Sequence, residues 1–122
     1  MNRILLALAL CALLCSGCVG ASSVGELKRN PGGYLSVKSK YGYQESLRIV
    51  KDEYAALLGY DLSCTIFSDM KVGECTFTNT HGVAVTITSK CIDENSALVD
   101  FYAAVSWGRW EKNFNHLASK LQ

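Results

Sequence analysis

Two histidines and two pairs of adjacent carboxylates are the residues best suited to proton transfer in this sequence, and the second pair, Asp93 and Glu94, stands in a predicted polar turn. His81 stands in an Asn-Thr-His-Gly stretch typical of a turn, and His116 stands in a region of helical spacing. Asp52 and Glu53 are neighbours on a predicted helix, where adjacent side chains do not face each other. No glycine-rich phosphate loop, Gly-x-Ser-x-Gly or His-Glu-x-x-His motif is present. We therefore expect no catalytic residues, no metal and no cofactor.

The N-terminal segment has the composition of a secretory signal peptide. Asn2 and Arg3 begin it, an apolar run without a charge covers residues 4–14, and small residues follow. The run is shorter than the roughly 20 residues that a membrane-spanning helix needs. It also lacks the polar face of an amphipathic helix. We predict a signal peptide over residues 1–17, which places the mature protein in an oxidising compartment.

The end of this segment resembles the signal sequence of bacterial lipoproteins. Ser16 and Gly17 precede Cys18, although Cys15 stands where that family usually has leucine. Small residues let an extended chain enter a peptidase, and a thiol can be alkylated by a diacylglyceryl donor. The resemblance implies that Cys18 becomes the lipidated first residue of the mature protein. It also implies that Val19, which is not aspartate, favours an outer-membrane lipoprotein facing the periplasm.

Ordinary cleavage after Ala21 is the alternative. The sequence Val19-Gly20-Ala21 has small residues where a signal peptidase requires them. Cleavage at this point would release a soluble periplasmic or secreted protein. The two alternatives therefore differ in whether a lipid anchor holds the mature protein on the membrane.

The remaining composition indicates one ordinary globular domain. Residues 18–32 are small and polar and predict a flexible tether, and residues 33–122 are enough for a single core. The chain has 12 Lys and Arg, one of them Arg3 in the signal peptide, and 11 Asp and Glu. The mature chain therefore has a formal charge of zero, and no basic stripe indicates nucleic acid as a partner.

Alternation and helical spacing predict the secondary structure of the domain. We expect a strand, a helix, four strands and a helix, over residues 34–39, 41–58, 62–68, 71–80, 82–91, 97–106 and 107–121. The segment 97–106 could also begin one long helix, but β-branched and aromatic residues are frequent in it and Ser106 suits a helix N-cap. The order β-α-β-β-β-β-α predicts an α+β two-layer sandwich, with two helices on one face of a mostly antiparallel sheet.

The inward-facing positions of these elements predict the core. They are Leu35, Val37, Leu47, Val50, Ile66, Phe77, Val83, Val85, Ile87, Phe101, Val105, Trp110 and Phe114.

Three cysteines remain in the mature domain after Cys18, and their spacing matches no zinc pattern. An odd number in an oxidising compartment indicates one disulfide and one buried free thiol, or a thiol that pairs between molecules. A hairpin turning near Met70 would place Cys64 opposite Cys75, whereas Cys91 is out of register. We predict the disulfide Cys64–Cys75.

The layout of the domain also resembles that of small bacterial lipoproteins and of BamC-like lipoprotein domains. The likeness covers about residues 33–121 and rests on element order and on Gly33, Tyr34, Tyr43, Trp107 and Trp110. BamC-like proteins have two such domains and a long N-terminal arm, whereas this chain has one domain and a short tether. The resemblance implies a role in the cell envelope, but it assigns no functional residue.

Exposed aromatic and polar residues suggest a binding surface. We name Trp107, Tyr34 and His81 as its candidates, because tyrosine and tryptophan are favoured at protein interfaces. The first hypothesis is a lipid-anchored, non-catalytic interaction or assembly module with an envelope protein as partner. The alternative is a periplasmic inhibitor or immunity-type protein, released after Ala21, that presents the turn around His81.

Overall fold

The structure is a computed structural model that describes residues 21–105 and 107–122, without the side chains of Trp107 and Arg109. The predicted signal peptide, the proposed lipidation site Cys18 and the predicted N-cap Ser106 lie outside the described residues. Within the described residues, eight elements follow one another: α1 (Val24–Arg29), β1 (Gly33–Ser39), α2 (Tyr43–Leu58), β2 (Ser63–Phe67), β3 (Val72–Asn79), β4 (Gly82–Asp93), β5 (Ser96–Ala103) and α3 (Trp107–Ser119).

The five strands form one antiparallel sheet in the order β1-β5-β4-β3-β2. The predicted α+β fold is therefore confirmed. The segment for which strand and helix were both considered is β5, and it pairs with β1 on one side and β4 on the other. Val99 and Phe101 of β5 are completely buried. Their alternation with outward residues therefore indicated a strand that is covered on its apolar face.

Helices α2 and α3 cover the apolar face of the sheet. α2 packs over β3, β4 and β5, and α3 packs over β1 and β5. The ring centroids of Phe101 and Phe114 lie 5.4 Å apart across the contact between sheet and helix. Val50 and Tyr54 of α2 are also fully buried. This interface holds most of the predicted core.

One predicted core residue was placed wrongly. Ile66 of β2 is 41% exposed. The register places it opposite Gly73 of β3, and a Cβ on Gly73 would lie 2.2 Å from the Leu47 side chain. The side chain of Leu47 therefore occupies the surface above Gly73, and α2 does not extend across the edge strand. Leu35, Val37, Phe77 and Trp110 border the core and are half-buried.

The segment predicted to be a flexible tether is partly folded. Helix α1 begins after Ser23, whose hydroxyl accepts a hydrogen bond from the Glu26 backbone N–H at 3.1 Å. Leu27 is 1% exposed, and the Lys28 ammonium lies 2.6 Å from the Glu74 carboxylate of β3. Glu74 points away from α2, so α1 covers the opposite face of the sheet. One buried leucine and one ion pair therefore fix this segment to the domain.

None of the helices within residues 21–105 and 107–122 is long and apolar enough to cross a membrane.

Replacing Phe101 with alanine should destabilise the domain by about 3–5 kcal/mol, because the substitution leaves a cavity between β5 and α3. Leu98→Ala is the matched control on the same strand, since Leu98 is 37% exposed on the other face. We expect it to cost about 1 kcal/mol or less. Urea unfolding followed by circular dichroism measures both values, and equal losses would contradict the assigned faces of β5.

Candidate functional site

An aromatic pocket opens at one end of the sandwich, between the end of α2, the beginning of α3 and the β3–β4 turn. Its volume is about 330 Å³. It is lined by aromatic and aliphatic side chains and by two polar ones: Tyr54, Leu58, Tyr60, Phe77, Asn79, His81, Ala84, Val105 and Trp110. Mostly apolar concave surfaces with a few polar groups are the usual form of a binding site.

The wall of the pocket consists of aromatic rings packed on one another at a tilt. The centroid of Phe77 lies 6.3 Å from that of Tyr54 and 5.0 Å from that of Tyr60. Trp110 packs on Phe114 with the centroids 5.6 Å apart. Tilted aromatic pairs at these distances attract one another, so the wall is formed before any ligand arrives.

The rim of the pocket is the tight turn between β3 and β4. The backbone N–H of His81 donates to the Asn79 side-chain oxygen at 2.8 Å. Gly82 follows with φ +125°, a conformation that other residues rarely adopt. Burial raises the pKa of Tyr54 to about 12, so its hydroxyl is neutral at physiological pH. The pocket therefore presents hydroxyl, amide and imidazole groups beside its rings.

The outer edge of β2 is a second exposed surface. All five residues of β2 are exposed, and none of them carries a charge. Phe67 is 41% exposed beside Ile66, and Met70 in the following turn is 67% exposed. Among the described strands, β3 is the only neighbour of β2. Natural sheets usually protect such an edge with charges or a covering element.

The predicted disulfide between Cys64 and Cys75 is present and joins this edge strand to β3. Its Cα atoms are 4.0 Å apart, near the roughly 4.5 Å of a non-hydrogen-bonded antiparallel pair rather than the roughly 5.5 Å of a hydrogen-bonded one. The N–H and C=O groups of Cys64, and of Ile66 two positions later, therefore point to the open side of β2. They can accept a further strand.

The residues named from the sequence as a binding surface lie apart. His81 lines the aromatic pocket on the side of the sheet that the helices cover. Tyr34 lies on the opposite face, where its hydroxyl donates to Asp100 at 2.9 Å and its ring packs on Tyr102 at 5.1 Å. Burial, together with the nearby Asp100 carboxylate, raises the pKa of both tyrosines. The side chain of Trp107 lies outside the described atoms.

His116 is half-exposed and pairs with a carboxylate of the other helix, whereas Cys91 differs from the predicted buried thiol. His116 Nε2 lies 2.7 Å from Glu53 Oε1 and joins α3 to α2 outside the aromatic pocket. The thiol of Cys91 is free and half-buried rather than buried, with Sγ 3.4 Å from the Asp93 carbonyl oxygen. No group of three or more His, Cys, Asp or Glu side chains within the described residues is placed to hold a metal ion.

The first described residue lies beside the rim of the pocket. The Ala21 N–H donates to the Val83 carbonyl at 3.1 Å, and the Val83 N–H donates to the Ala21 carbonyl at 2.8 Å. The sequence of residues 18–32 does not predict this pairing, because a single bridge needs no alternation of apolar and polar residues. No protein-family model matches this chain, and no curated protein matches its sequence. The candidate surfaces are therefore defined by geometry.

The stability of the domain should fall in alkali as Tyr54 ionises. The unfolded chain ionises this tyrosine near its ordinary pKa of 10.0, whereas the folded domain does so near about 12. Its contribution is complete below pH 10 and is lost as the pH rises toward 12. Tyr54→Phe should lose less stability over this interval. Urea midpoints across the pH series measure the effect, and identical alkaline losses in both proteins would contradict it.

Proposed function

We propose that this protein is a lipid-anchored component of the cell envelope, and that its domain is a non-catalytic interaction module. The observation that carries the proposal is the open edge of β2, which is uncharged, exposed and held in register by a disulfide. The partner is an envelope protein that adds an extended segment to this edge. The anchor is the thiol of Cys18, and the domain faces the periplasm from the outer membrane.

The pairing of Ala21 supports lipidation over the alternative cleavage. Processing before Cys18 leaves both hydrogen bonds between Ala21 and Val83 in place. Cleavage after Ala21 would remove that residue, and the Val83 backbone groups would lose these partners. A Cβ on Gly82 would clash with the Ala21 carbonyl oxygen. Glycine at position 82 therefore lets the Ala21 backbone approach β4. The lipoprotein alternative therefore keeps a contact that the secreted alternative removes.

The edge of β2 can bind an extended segment of a partner protein through its main-chain groups. An added strand gains main-chain hydrogen bonds from Cys64 and Ile66, and its side chains meet Ile66 and Phe67. No lysine or glutamate within β2 opposes this addition. The disulfide fixes which backbone groups point outward, so less ordering is needed when the partner binds.

The inhibitor alternative depends on a loop that protrudes into an enzyme. The turn around His81 is short and is tied back by the Asn79 side chain. This geometry favours the edge of β2 over the turn as the recognition element.

The protein recovered from membranes of a producing cell should have the mass of residues 18–122 plus a diacylglyceryl group and an amide-linked acyl chain. The added mass follows from alkylation of the Cys18 thiol and acylation of the new N-terminus. Intact-mass spectrometry measures it, and Cys18→Ser should carry no lipid. A mass of residues 22–122 without lipid would refute the anchor and favour a released inhibitor.

A photo-crosslinking residue at Thr65 of β2 should give one adduct of defined mass in the envelope. The same residue at Ser36 of β1, which is also an exposed edge position, should give none. Ile66→Pro removes an outward N–H without removing a bond to β3, so it should abolish the Thr65 adduct. Disulfide mapping and thermal unfolding check that this variant folds.

An adduct that survives Ile66→Pro would contradict strand addition at this edge. An adduct with a soluble enzyme, formed by a protein without lipid, would support the inhibitor alternative instead.

A further inference from the structure

We propose that the pocket end of the sandwich rests on the lipid surface, with the aromatic pocket and its rim at the level of the headgroups. The pocket end is the end that carries the β3–β4 turn, the end of α2 and the beginning of α3. This proposal rests on the proposed lipidation of Cys18, and it names the membrane as the surface that the pocket meets. The position of Ala21 and the distribution of charge carry it.

The covalent chain limits how far this end can lie from the anchor. Ala21 is fixed to Val83 by two backbone hydrogen bonds, directly after the turn that forms the rim. Cys18 precedes Ala21 by three positions, so their Cα atoms lie within about 11 Å of each other in any conformation. An acyl group on Cys18 therefore holds the rim close to the bilayer, and no long tether lets the domain turn over.

The composition of the pocket end suits contact with lipid headgroups. The pocket is lined from residues 54–60, 77–84 and 105–110, and Arg109 is the one Asp, Glu, Lys or Arg in these three stretches. Tyr60 is 57% exposed at the mouth of the pocket, Trp110 is half-buried and His81 is exposed. Tyrosine and tryptophan are favoured at the membrane interface, because their rings are apolar and their tips are polar.

The far end of the domain has the opposite character. Lys40, Glu45 and Glu94 line a shallow cavity of about 440 Å³ there, and Lys71 and Asp93 line an adjacent one. Packing these charges against the bilayer surface would remove part of the water that solvates them, which costs free energy. Both ends therefore favour the same orientation, with the pocket toward the membrane.

The two tryptophans of the chain provide a native probe of this orientation, because Trp107 and Trp110 both lie in the first turn of α3. The lipidated protein is bound to vesicles of phosphatidylethanolamine and phosphatidylglycerol, with and without bromine on the acyl chains. We expect bromine to remove roughly half of the emission, because interfacial indoles lie close to the acyl chains.

The matched control moves the probe to the far end. Trp107→Phe and Trp110→Phe are combined with Ile92→Trp, since Ile92 is 51% exposed beside the charged cavities. This variant should keep its emission on brominated vesicles. Circular dichroism checks its fold.

Two kinds of failure are distinguishable. A protein that floats with the vesicles but shows equal quenching at both ends, or none at the pocket end, overturns the orientation alone. A protein whose mass shows no lipid on Cys18 overturns the proposed function, and this orientation with it.

Discussion

The pairing of β5 between β1 and β4 is the constraint on which the rest of this structure depends. It joins the first strand of the chain to the last one, and its buried Val99 and Phe101 support both helices. The end of β5 leads directly to α3, so the same strand places Trp110 opposite Tyr54 and Phe77 across the pocket. The pocket therefore exists because a non-local strand pairing brings distant segments to one end.

The sequence predicted most of the sheet and the disulfide because each depends on local alternation. Phe101 and Ile87 alternate with polar neighbours, and Cys64 and Cys75 are spaced for a hairpin. Ile66 alternates in the same way, but its burial depends on how far α2 reaches across the sheet. Helix α1 was missed because one leucine in a polar segment gives no periodicity. The aromatic pocket was missed because its residues come from three distant segments.

The disulfide stabilises β2, a strand that neither α2 nor α3 covers. An edge strand gains little hydrophobic stabilisation when its residues are exposed, and all five residues of β2 are exposed. A crosslink between neighbouring strands stabilises the hairpin by restricting the unfolded chain instead. β2 can therefore keep exposed apolar side chains and free backbone groups while its register stays fixed.

The bridge between Ala21 and Val83 also imposes an order in time. Val83 follows Ala21 by 62 positions, so a chain synthesised from its N-terminus contains residue 21 well before it contains β4. During that interval Ala21 has no strand with which to pair. Completion of β4 then closes the bridge, so this contact between distant positions forms late in the folding of the domain.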